Sequence, residues 1–386
     1  MDFRLGEHSD AFRAEVRAFF EEVITPARRE HLYRTGVSSD AEFTAALRER
    51  GWIAPGWPVE WGGQGHDLMD MEAWREETQA AEAPIYSIGT TLMVAKAILR
   101  AGTEEMQHRI LPPALRGEII IVLGFTEPEA GSDVANAQTR AVRDGDEWVI
   151  NGQKMFTTNG HIADYALMLT RTNPEASKHK GLTTFLVPMK QPGVEAQAVY
   201  TVSGERTNIT YFSDVRIGDE CRLGEVDGGW TIMTAALQDE HSGGFGPRLG
   251  TLVAHVEAWA RDALDDDGRP MIESPDVRRR ISRAATEHEV ALLLAHRTAW
   301  MYSEGITPEA EGPMGKLFSS EALERSAQDL TEMIGPDALR SYFEPTAPEG
   351  GHIEHALRHS LGTTIYAGTS EVQRNIIAQR GCGLPR

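Results

Sequence analysis

Cysteine is nearly absent from this sequence: its 386 residues include only Cys221 and Cys382. This excludes a disulfide-stapled scaffold and a cysteine-ligated zinc site, and such low usage is typical of a reducing cytosol. Long hydrophobic runs are also absent. No stretch approaches about 18 uninterrupted apolar residues, so we expect no membrane-spanning helix. The first residues, MDFRLGEHSDAF, are charged, so we expect no signal peptide and a cytoplasmic protein.

Positive charge is scarce as well. Lys and Arg number 38 against 58 Asp and Glu, which gives a formal net charge of −20. So acidic a chain is a poor candidate for binding nucleic acid or an anionic membrane surface. The usual nucleotide and hydrolase signatures are missing too: no GxGxxG follows a predicted strand, and there is no GxxxxGK[ST] and no GxSxG.

The chain has three zones of different periodicity. Apolar residues recur at helical spacing in residues 1–118, short β-rich runs fill residues 119–225, and helical spacing returns in residues 226–386. Two dipeptides in the middle zone have the chemistry of hairpin turns, Asp144-Gly145 and Asn151-Gly152. We predict a mostly α, α+β fold with an N-terminal helical domain, a central β-domain and a C-terminal helical domain. This order does not suit a doubly wound sheet.

Three segments carry most of the functional information: FTEPEAGSD (125–133), INGQKMFTTNG (150–160) and IYAGTSEVQRNIIAQRGCGLPR (365–386). In this order and spacing they resemble the acyl-CoA dehydrogenase family of flavoenzymes, and VRIGDECRLGEVDGGW (215–230) resembles the family's link into its last helices. The resemblance covers essentially the whole chain. It implies a C-terminal four-helix bundle, FAD, a dimer or tetramer, and α,β-dehydrogenation of an acyl-CoA thioester. It also implies an electron-transfer flavoprotein as the acceptor.

The resemblance also places residues at the flavin. These are Phe125, Thr126, Gly131, Ser132, Phe156, Thr157, Thr158, Gly368, Thr369 and Glu371. Their chemistry suits the role, because hydroxyls serve a flavin's polar edge, a glycine lets the backbone approach closely, and the Phe156 ring offers a flat apolar cover. Many relatives have Trp at the Phe156 position. Taken alone, Ser and Thr in such runs commonly cap turns; the three motifs together favour the flavin.

The sequence departs from the family at the catalytic base. Dehydrogenation removes a Cα proton, and many relatives place a glutamate for this directly before the Gly-Thr of the third motif. Here that position is Ala367, which accepts no proton but keeps the backbone N–H that, in the family, helps to hold the thioester carbonyl.

Isovaleryl- and long-chain-type members carry the base near the start of the C-terminal domain instead. Aligned from Gly229-Trp230, the matching residue is Glu240. Our hypothesis is that Glu240 is the general base, and the alternative is an ordinary solvated or helix N-terminal carboxylate. Asp239 is the weaker candidate, because it would face another side of a helix.

Other departures concern the substrate and the assembly. Gly243, Gly244 and Gly246 suggest either a wide pocket for a bulky or branched acyl chain or a simple helix start beyond a loop. The segments with which relatives reach a neighbouring subunit's FAD are replaced by residues 264–280 and 331–340. KHKGLTTFLVP and IGPDAL are similar to an actinobacterial branch of two-gene heterotetramers that act on sterol side chains.

Several functions therefore stay open. The first is an FAD-dependent dehydrogenase, active as a homo-oligomer or as a heterotetramer with a related chain. The second is a flavin-poor or non-catalytic subunit of such a heteromer. The third is a flavin oxidase or monooxygenase on the same fold, with oxygen as the acceptor.

Three histidines fall on one face of a predicted helix. His352, His355 and His359 are spaced i, i+3 and i+7, which can hold zinc or nickel. Flavin dehydrogenation needs no metal, so we predict no metal site. We expect surface histidines, or a histidine near the active-site wall.

Overall fold

The computed structural model describes residues 5–238 and 244–385. Within these residues there are twelve α-helices: α1 Glu7–Val23, α2 Pro26–Thr35, α3 Ala41–Glu49, α4 Leu68–Ala80, α5 Tyr86–Ala101, α6 Glu104–Leu115, α7 Gly229–Gln238, α8 Gly246–Asp262, α9 Pro275–Ser303, α10 Glu311–Ile334, α11 His352–Thr363 and α12 Ser370–Ile376. The same residues contain eight strands: β1 Ile121–Gly124, β2 Arg140–Asp144, β3 Glu147–Lys154, β4 Tyr165–Arg171, β5 Leu182–Pro188, β6 Val194–Tyr200, β7 Arg206–Gly218 and β8 Arg222–Leu223. This succession of helices, strands and helices confirms the predicted fold class.

The described chain divides into two compact units. One contains residues 26–66 and 84–238, with all eight strands and helices α2, α3, α5, α6 and α7. The other contains residues 5–25, 67–83 and 244–385, with α1, α4 and α8 to α12. The domain boundaries drawn from the sequence stay a prediction. Among the helices described, none is long and apolar enough to cross a lipid bilayer.

The strands form one sheet in the order β6-β7-β3-β2-β4-β5-β8, with β1 added in parallel to β4. A tight turn joins β2 to β3, because Asp144 pairs with Glu147 and Gly145 adopts a left-handed φ of 65°. The predicted Asp144-Gly145 hairpin is therefore confirmed. Apolar side chains of β3, β4, β5 and β7 pack into one core, among them Ile150, Met168 and Phe185.

The second predicted hairpin turn, Asn151-Gly152, is wrong. Both residues lie inside β3, where the pairing with β7 slips by one residue at a bulge. Gly152 has φ 147°, and a Cβ there would come within 2.7 Å of the Thr139 backbone. Asn151 is held by Asp214, since its Nδ2 donates to Oδ1 at 3.0 Å and its Oδ1 accepts from the Asp214 N–H at 2.9 Å. Residues that are typical of turns therefore form part of a bulge here, and the bulge bends the strand.

Helices α8 to α11 pack as a four-helix bundle in the other unit. Their facing side chains, including Leu252, Val256, Ile281 and Leu323, form a continuous apolar core. Helix α4 packs on α1, α8 and α9 and carries Glu76, which accepts from Arg13 at 2.7 Å and meets His296 at 2.5 Å. The bundle is the frame that positions the third motif.

Candidate active site

The first two motifs are joined by a buried ion pair. Lys154, at the end of β3, is 0% exposed and donates to Glu127 Oε1 at 2.7 Å and to the Leu169 carbonyl at 2.6 Å. Glu127 also accepts the backbone N–H groups of Gln138 at 2.6 Å and Thr139 at 3.0 Å. These contacts fasten the loop after β1 onto β3. The 27-residue separation of the partners explains why the motif pattern gave no sign of the pair.

Electrostatics favour the charged form of this glutamate. Burial alone would raise the pKa of Glu127, but the Lys154 ammonium and the two backbone donors outweigh it and hold that pKa below its usual value. A carboxylate anchored by three donors keeps the loop in one conformation.

Phe156 lies on a strained bend two residues after the end of β3. Its φ is 57°, in the left-handed region that few non-glycine residues adopt, and its ring is 55% exposed. The following residue is locked in place: the Thr157 N–H donates to the Asn208 carbonyl at 2.9 Å, and Asn208 Nδ2 donates to the Thr157 carbonyl at 2.9 Å. The bend therefore presents a flat apolar face outward from a rigid base, which suits covering a flavin ring.

The two threonines after Phe156 differ in burial and in hydrogen-bond partner. The Thr157 side chain is buried and its hydroxyl meets the Thr210 hydroxyl at 3.2 Å, whereas the half-buried Thr158 hydroxyl contacts Thr207 at 3.3 Å. Sequence reasoning missed Asn208 and Thr210. The only sign of them in the sequence was that polar residues recur within this β-rich run. That these polar side chains are buried is visible only in the structure.

The first motif is arranged around its glycine. The Phe125 ring is buried in the core that the strands share with helices α5 and α6. The Thr126 carbonyl accepts the Met155 N–H at 2.8 Å, so the first two motifs are in contact. Gly131 and Ser132 are exposed. A Cβ at Gly131 would meet no atom within 4 Å, so the chain's own packing does not demand glycine there. Open space beside a glycine and a hydroxyl fits close approach by a ligand.

The third motif lies in the other unit and contains a second strained turn. Ala367 has φ 53° and Gly368 has φ 79°. The Ala367 carbonyl accepts Gln373 Nε2 at 2.9 Å and the Gly368 carbonyl accepts Lys316 Nζ at 2.6 Å. Within the described residues the Ala367 N–H has no acceptor. The turn therefore holds a donor that is available to a carbonyl oxygen.

A groove of about 470 Å³ opens beside this turn at the start of α12, and Thr369, Ser370 and Glu371 line it. The Thr369 hydroxyl caps α12 by accepting the Val372 N–H at 3.2 Å. The Ser370 hydroxyl is buried with no partner among the residues described. A buried orphan hydroxyl at the wall of a groove fits a polar ligand such as the dinucleotide part of FAD.

Glu240 lies outside the described residues, as do Asp239 and Gly243. The residues that follow are placed: the Phe245 ring meets the Tyr366 ring edge-on at 5.8 Å, directly before Ala367.

The two described glycines of this stretch pack closely against the bundle. A Cβ at Gly244 would lie 2.4 Å from Ser319 Oγ, and one at Gly246 would lie 3.2 Å from the Ala291 Cβ. They allow tight packing where α8 begins, which supports the helix-start interpretation of these two glycines.

The helix-spaced histidines line a cavity inside the bundle. His352, His355 and His359 meet His255 of α8, Arg248 and Glu82 there; we call it the histidine cavity. The His255 and His352 rings stack with centroids 4.4 Å apart and planes 6° apart, so their lone pairs do not converge on one ion. Among described residues, these imidazoles belong to no group of three metal ligands within 4.8 Å of one another. The expected absence of a metal stays a prediction.

Burial of this cavity predicts an acid-labile fold. Burial lowers the pKa of His355 from 6.5 to about 4, and that of His359 falls well below 6.5 for the same reason. As pH falls from 6.5 toward 4 the unfolded chain binds a proton that folded His355 does not, so folding stability is lost in that window, by about 2 kcal/mol at pH 5 for His355 alone.

Urea unfolding at pH 7, 6 and 5 measures this loss. His355→Leu removes the titrating group, so its stability should depend less on pH over that range. An equal decline in wild type and variant would contradict the assignment to His355.

Comparison with known proteins identifies the family. Residues 6–118, 122–216 and 227–382 match the family descriptions "Acyl-CoA dehydrogenase, N-terminal domain", "middle domain" and "C-terminal domain". The chain belongs to the acyl-CoA dehydrogenase family. It is 36% identical to "Acyl-CoA dehydrogenase FadE26" of Mycobacterium tuberculosis, over 98% of this chain and 97% of that protein.

Solved acyl-CoA dehydrogenase structures are similar over the whole chain. The ChsE4-ChsE5 complex from Mycobacterium tuberculosis superposes with a TM-score of 0.90 at 34% identity, covering 100% of both chains. The Tcur3481-Tcur3483 steroid acyl-CoA dehydrogenase superposes with a TM-score of 0.91 at 34% identity, also covering 100% of both. The resemblance drawn from three motifs is thus confirmed, and so is the fold with its C-terminal four-helix bundle.

The family's activity and cofactor follow for this chain. It is an FAD-dependent enzyme that dehydrogenates the α,β-bond of an acyl-CoA thioester, as predicted. The residues present fit that cofactor: an exposed aromatic face at Phe156, open space at Gly131 and the orphan hydroxyl of Ser370 are features that the chain's own packing does not use.

Proposed function

We propose that this acyl-CoA dehydrogenase uses Glu240 as its base and the Ala367 N–H to hold the thioester carbonyl. We propose further that it acts in the cytoplasm on a bulky or branched acyl-CoA and passes electrons to an electron-transfer flavoprotein. Similarity to a steroid acyl-CoA dehydrogenase supports the bulky acyl group. The observation that carries this is the turn at Ala367. It offers a backbone donor with no acceptor among the described residues, but only a methyl group as its side chain.

The donor and the base do complementary work. Negative charge develops on the thioester oxygen as the Cα proton leaves, and a fixed N–H aimed at that oxygen stabilises this charge. Bound FAD would supply the acceptor for the hydride that leaves Cβ. The proton must go to a base, and a carboxylate is a side chain that can accept it.

Connectivity supports Glu240 as the source of the carboxylate. Phe245 packs on Tyr366, next to Ala367. Glu240 precedes Phe245 by five residues, and five residues span at most about 18 Å. Chain length therefore permits a base at position 240 to act at the carbonyl-holding turn.

The flavin is held, in this proposal, by the residues carried over from the family motifs. Thr126, Ser132 and Thr158 offer hydroxyls, and Gly131 offers accessible backbone. Phe156 covers the ring, while Thr157 keeps the bend rigid through Asn208 and Thr210. Gly368, Thr369 and Glu371 hold the dinucleotide part at the start of α12.

Assembly with a related chain is supported by the arginines of residues 264–280. Arg269 pairs with Asp267 at 2.5 Å, Arg279 with Asp276 at 2.5 Å, and Arg280 with Asp329 at 2.7 Å. Arginines engaged within their own chain are poor donors to a neighbouring subunit's phosphates. The named complexes among the structural relatives each join two different chains.

Flavin content tests this assembly. We expect the chain expressed alone to hold well under one flavin per chain, and co-expression with a related neighbouring-gene chain to restore flavin. The visible spectrum, with flavin counted against protein, measures both. One flavin per chain in the lone protein would instead indicate a self-sufficient homo-oligomer. Peroxide formed in air during turnover would favour the flavin oxidase alternative.

A further inference from the structure

Lys316 is a buried lysine beside the turn at Ala367. It lies on α10, is 3% exposed and donates from Nζ to the Gly368 carbonyl at 2.6 Å. Burying an ammonium group is costly, and lysine is almost never fully buried without a partner. One partner here is a backbone carbonyl 52 residues further along the chain, so this lysine ties α10 to the turn.

The turn depends on such contacts because its backbone is strained. Ala367 has φ 53°, where the Cβ of an L-residue crowds the following carbonyl oxygen. A residue keeps this conformation only where the surrounding structure fixes it. Here the buried Gln373 side chain donates from Nε2 to the Ala367 carbonyl at 2.9 Å, while Lys316 holds the next carbonyl. Side chains from two helices therefore fix two consecutive carbonyls of the turn.

Gly368 allows these side chains to approach the backbone closely. A Cβ at Gly368 would lie 2.7 Å from Gln373 Nε2, so a larger residue would displace the glutamine. The two side chains contact the carbonyls of the turn and leave the Ala367 N–H outside these contacts. An N–H that is fixed before the reaction stabilises a developing negative charge without having to reorient.

The same part of α10 also holds the start of α8. Ser319 Oγ accepts the Phe245 N–H at 2.9 Å, and the Phe245 ring meets the Tyr366 ring edge-on at 5.8 Å. Lys316 and Ser319 lie three residues apart, which places them on one side of the helix. Helix α10 therefore supports the turn directly at Gly368 and, through Phe245, at the residue that precedes the turn.

From this geometry we infer that Lys316, together with Gln373, is a positioning residue for the reaction. The two side chains fix the carbonyls of the turn, and this fixes the direction in which the Ala367 N–H points toward the thioester oxygen. The inference rests on the proposed function, because it takes the Ala367 N–H to hold that oxygen. Neither side chain needs to touch the substrate.

The test measures the thioester carbonyl directly. Cyclohex-1-ene-1-carbonyl-CoA, labelled with ¹³C at that carbonyl, is an unsaturated product-type ligand, and difference infrared spectroscopy gives its C=O frequency when it saturates the flavin-loaded enzyme or complex. We expect the wild type to lower this frequency relative to water, because a fixed N–H polarises the carbonyl. Lys316→Met keeps the length of the side chain but removes its donor, so it should lose most of this shift.

Rate and binding separate positioning from a general loss of structure. We expect Lys316→Met to slow flavin reduction by the saturated acyl-CoA about 100-fold. The Kd of cyclohexylmethyl-CoA, a thioether with no carbonyl, should change by less than about threefold, because this ligand does not use the N–H. Ser326→Ala is the matched control, since it removes a buried polar contact of α10 with Glu287 at 3.0 Å, and it should leave the carbonyl frequency unchanged.

Each outcome decides the inference. A wild-type shift that persists in Lys316→Met would overturn it and leave the proposed function standing. A wild-type frequency equal to that in water would refute the proposed role of the Ala367 N–H, and the inference with it. Equal weakening of thioester and thioether binding would show a merely structural role. Should Lys316→Met fail to fold, Gln373→Leu removes the other donor to the turn and should also reduce the shift.

Discussion

Glu240→Gln is expected to lower the rate of flavin reduction by acyl-CoA about a thousandfold, within the 10²- to 10⁴-fold range of general-base removal. Glutamine keeps the size and hydrogen bonding of the side chain but accepts no proton, and Ala367 offers no substitute. Rapid mixing of the flavin-loaded enzyme with substrate under anaerobic conditions measures the chemical step directly. Substrate binding should change little, because the loss is confined to the transition state.

Asp239→Asn is the matched control, since it removes one carboxylate at the neighbouring position. We expect a change of no more than a few-fold. Undiminished reduction by Glu240→Gln, or an equal loss in both variants, would remove Glu240 from the mechanism.

A rescue variant sharpens the same test. Ala367 already carries a Cβ at φ 53°, so Ala367→Glu requires no backbone conformation that the wild type lacks. In the Glu240→Gln background it should restore a carboxylate at the family's other base position and recover about 10- to 100-fold of the lost rate. Absence of any recovery would mean that the turn does not face the acyl Cα.

Lys154→Met is expected to lower the free energy of unfolding by about 3–5 kcal/mol, because it leaves the Glu127 charge buried without its partner. The pair joins the first two flavin motifs, so we also expect flavin to be lost during gel filtration. Denaturant unfolding and the flavin-to-protein ratio measure the two effects.

Two comparisons separate this buried pair from an ordinary one. Lys190 contacts Asp164 at the same 2.7 Å but is 69% exposed, so Lys190→Met should cost at most about 1 kcal/mol. In Lys154→Met/Glu127→Gln the stranded charge is gone, and the double variant should be less destabilised than the sum of the single variants. Strict additivity would show that the two side chains are not coupled.

Local patterns predicted the local structure well. Helical and β-type spacing placed the zones, and Asp144-Gly145 formed the expected hairpin. Asn151-Gly152 has equally good turn chemistry but lies at a bulge, because the partner strand β7 continues past it and Asp214 takes up the asparagine side chain. A dipeptide indicates only its local backbone preference, and it does not indicate which strand will pair with it.

For the active site, too, short contiguous patterns were predictive and long-range contacts were not. Motif resemblance identified the family and the cofactor, whereas the residues that it places at the flavin stay a prediction. The alanine before the third motif's Gly-Thr led to the hypothesis of a base elsewhere. Contacts between distant parts of the chain were not predictable. Asn208 lies 51 residues from Thr157, and Glu82 lies 166 residues from Arg248, so no spacing rule connects either pair.

By itself the sequence determined the order of helical and β zones, the flavin motifs and the departure from the usual base. These depend on periodicity and on short contiguous patterns. Only the tertiary structure decided that the Ala367 N–H is presented on a strained turn, that Lys154 and Glu127 join two motifs, and that the histidines face a charged cavity rather than solvent. The reason is physical, because burial and pairing arise when folding brings distant segments of the chain into contact. The sequence of one segment does not specify which other segment will pack against it.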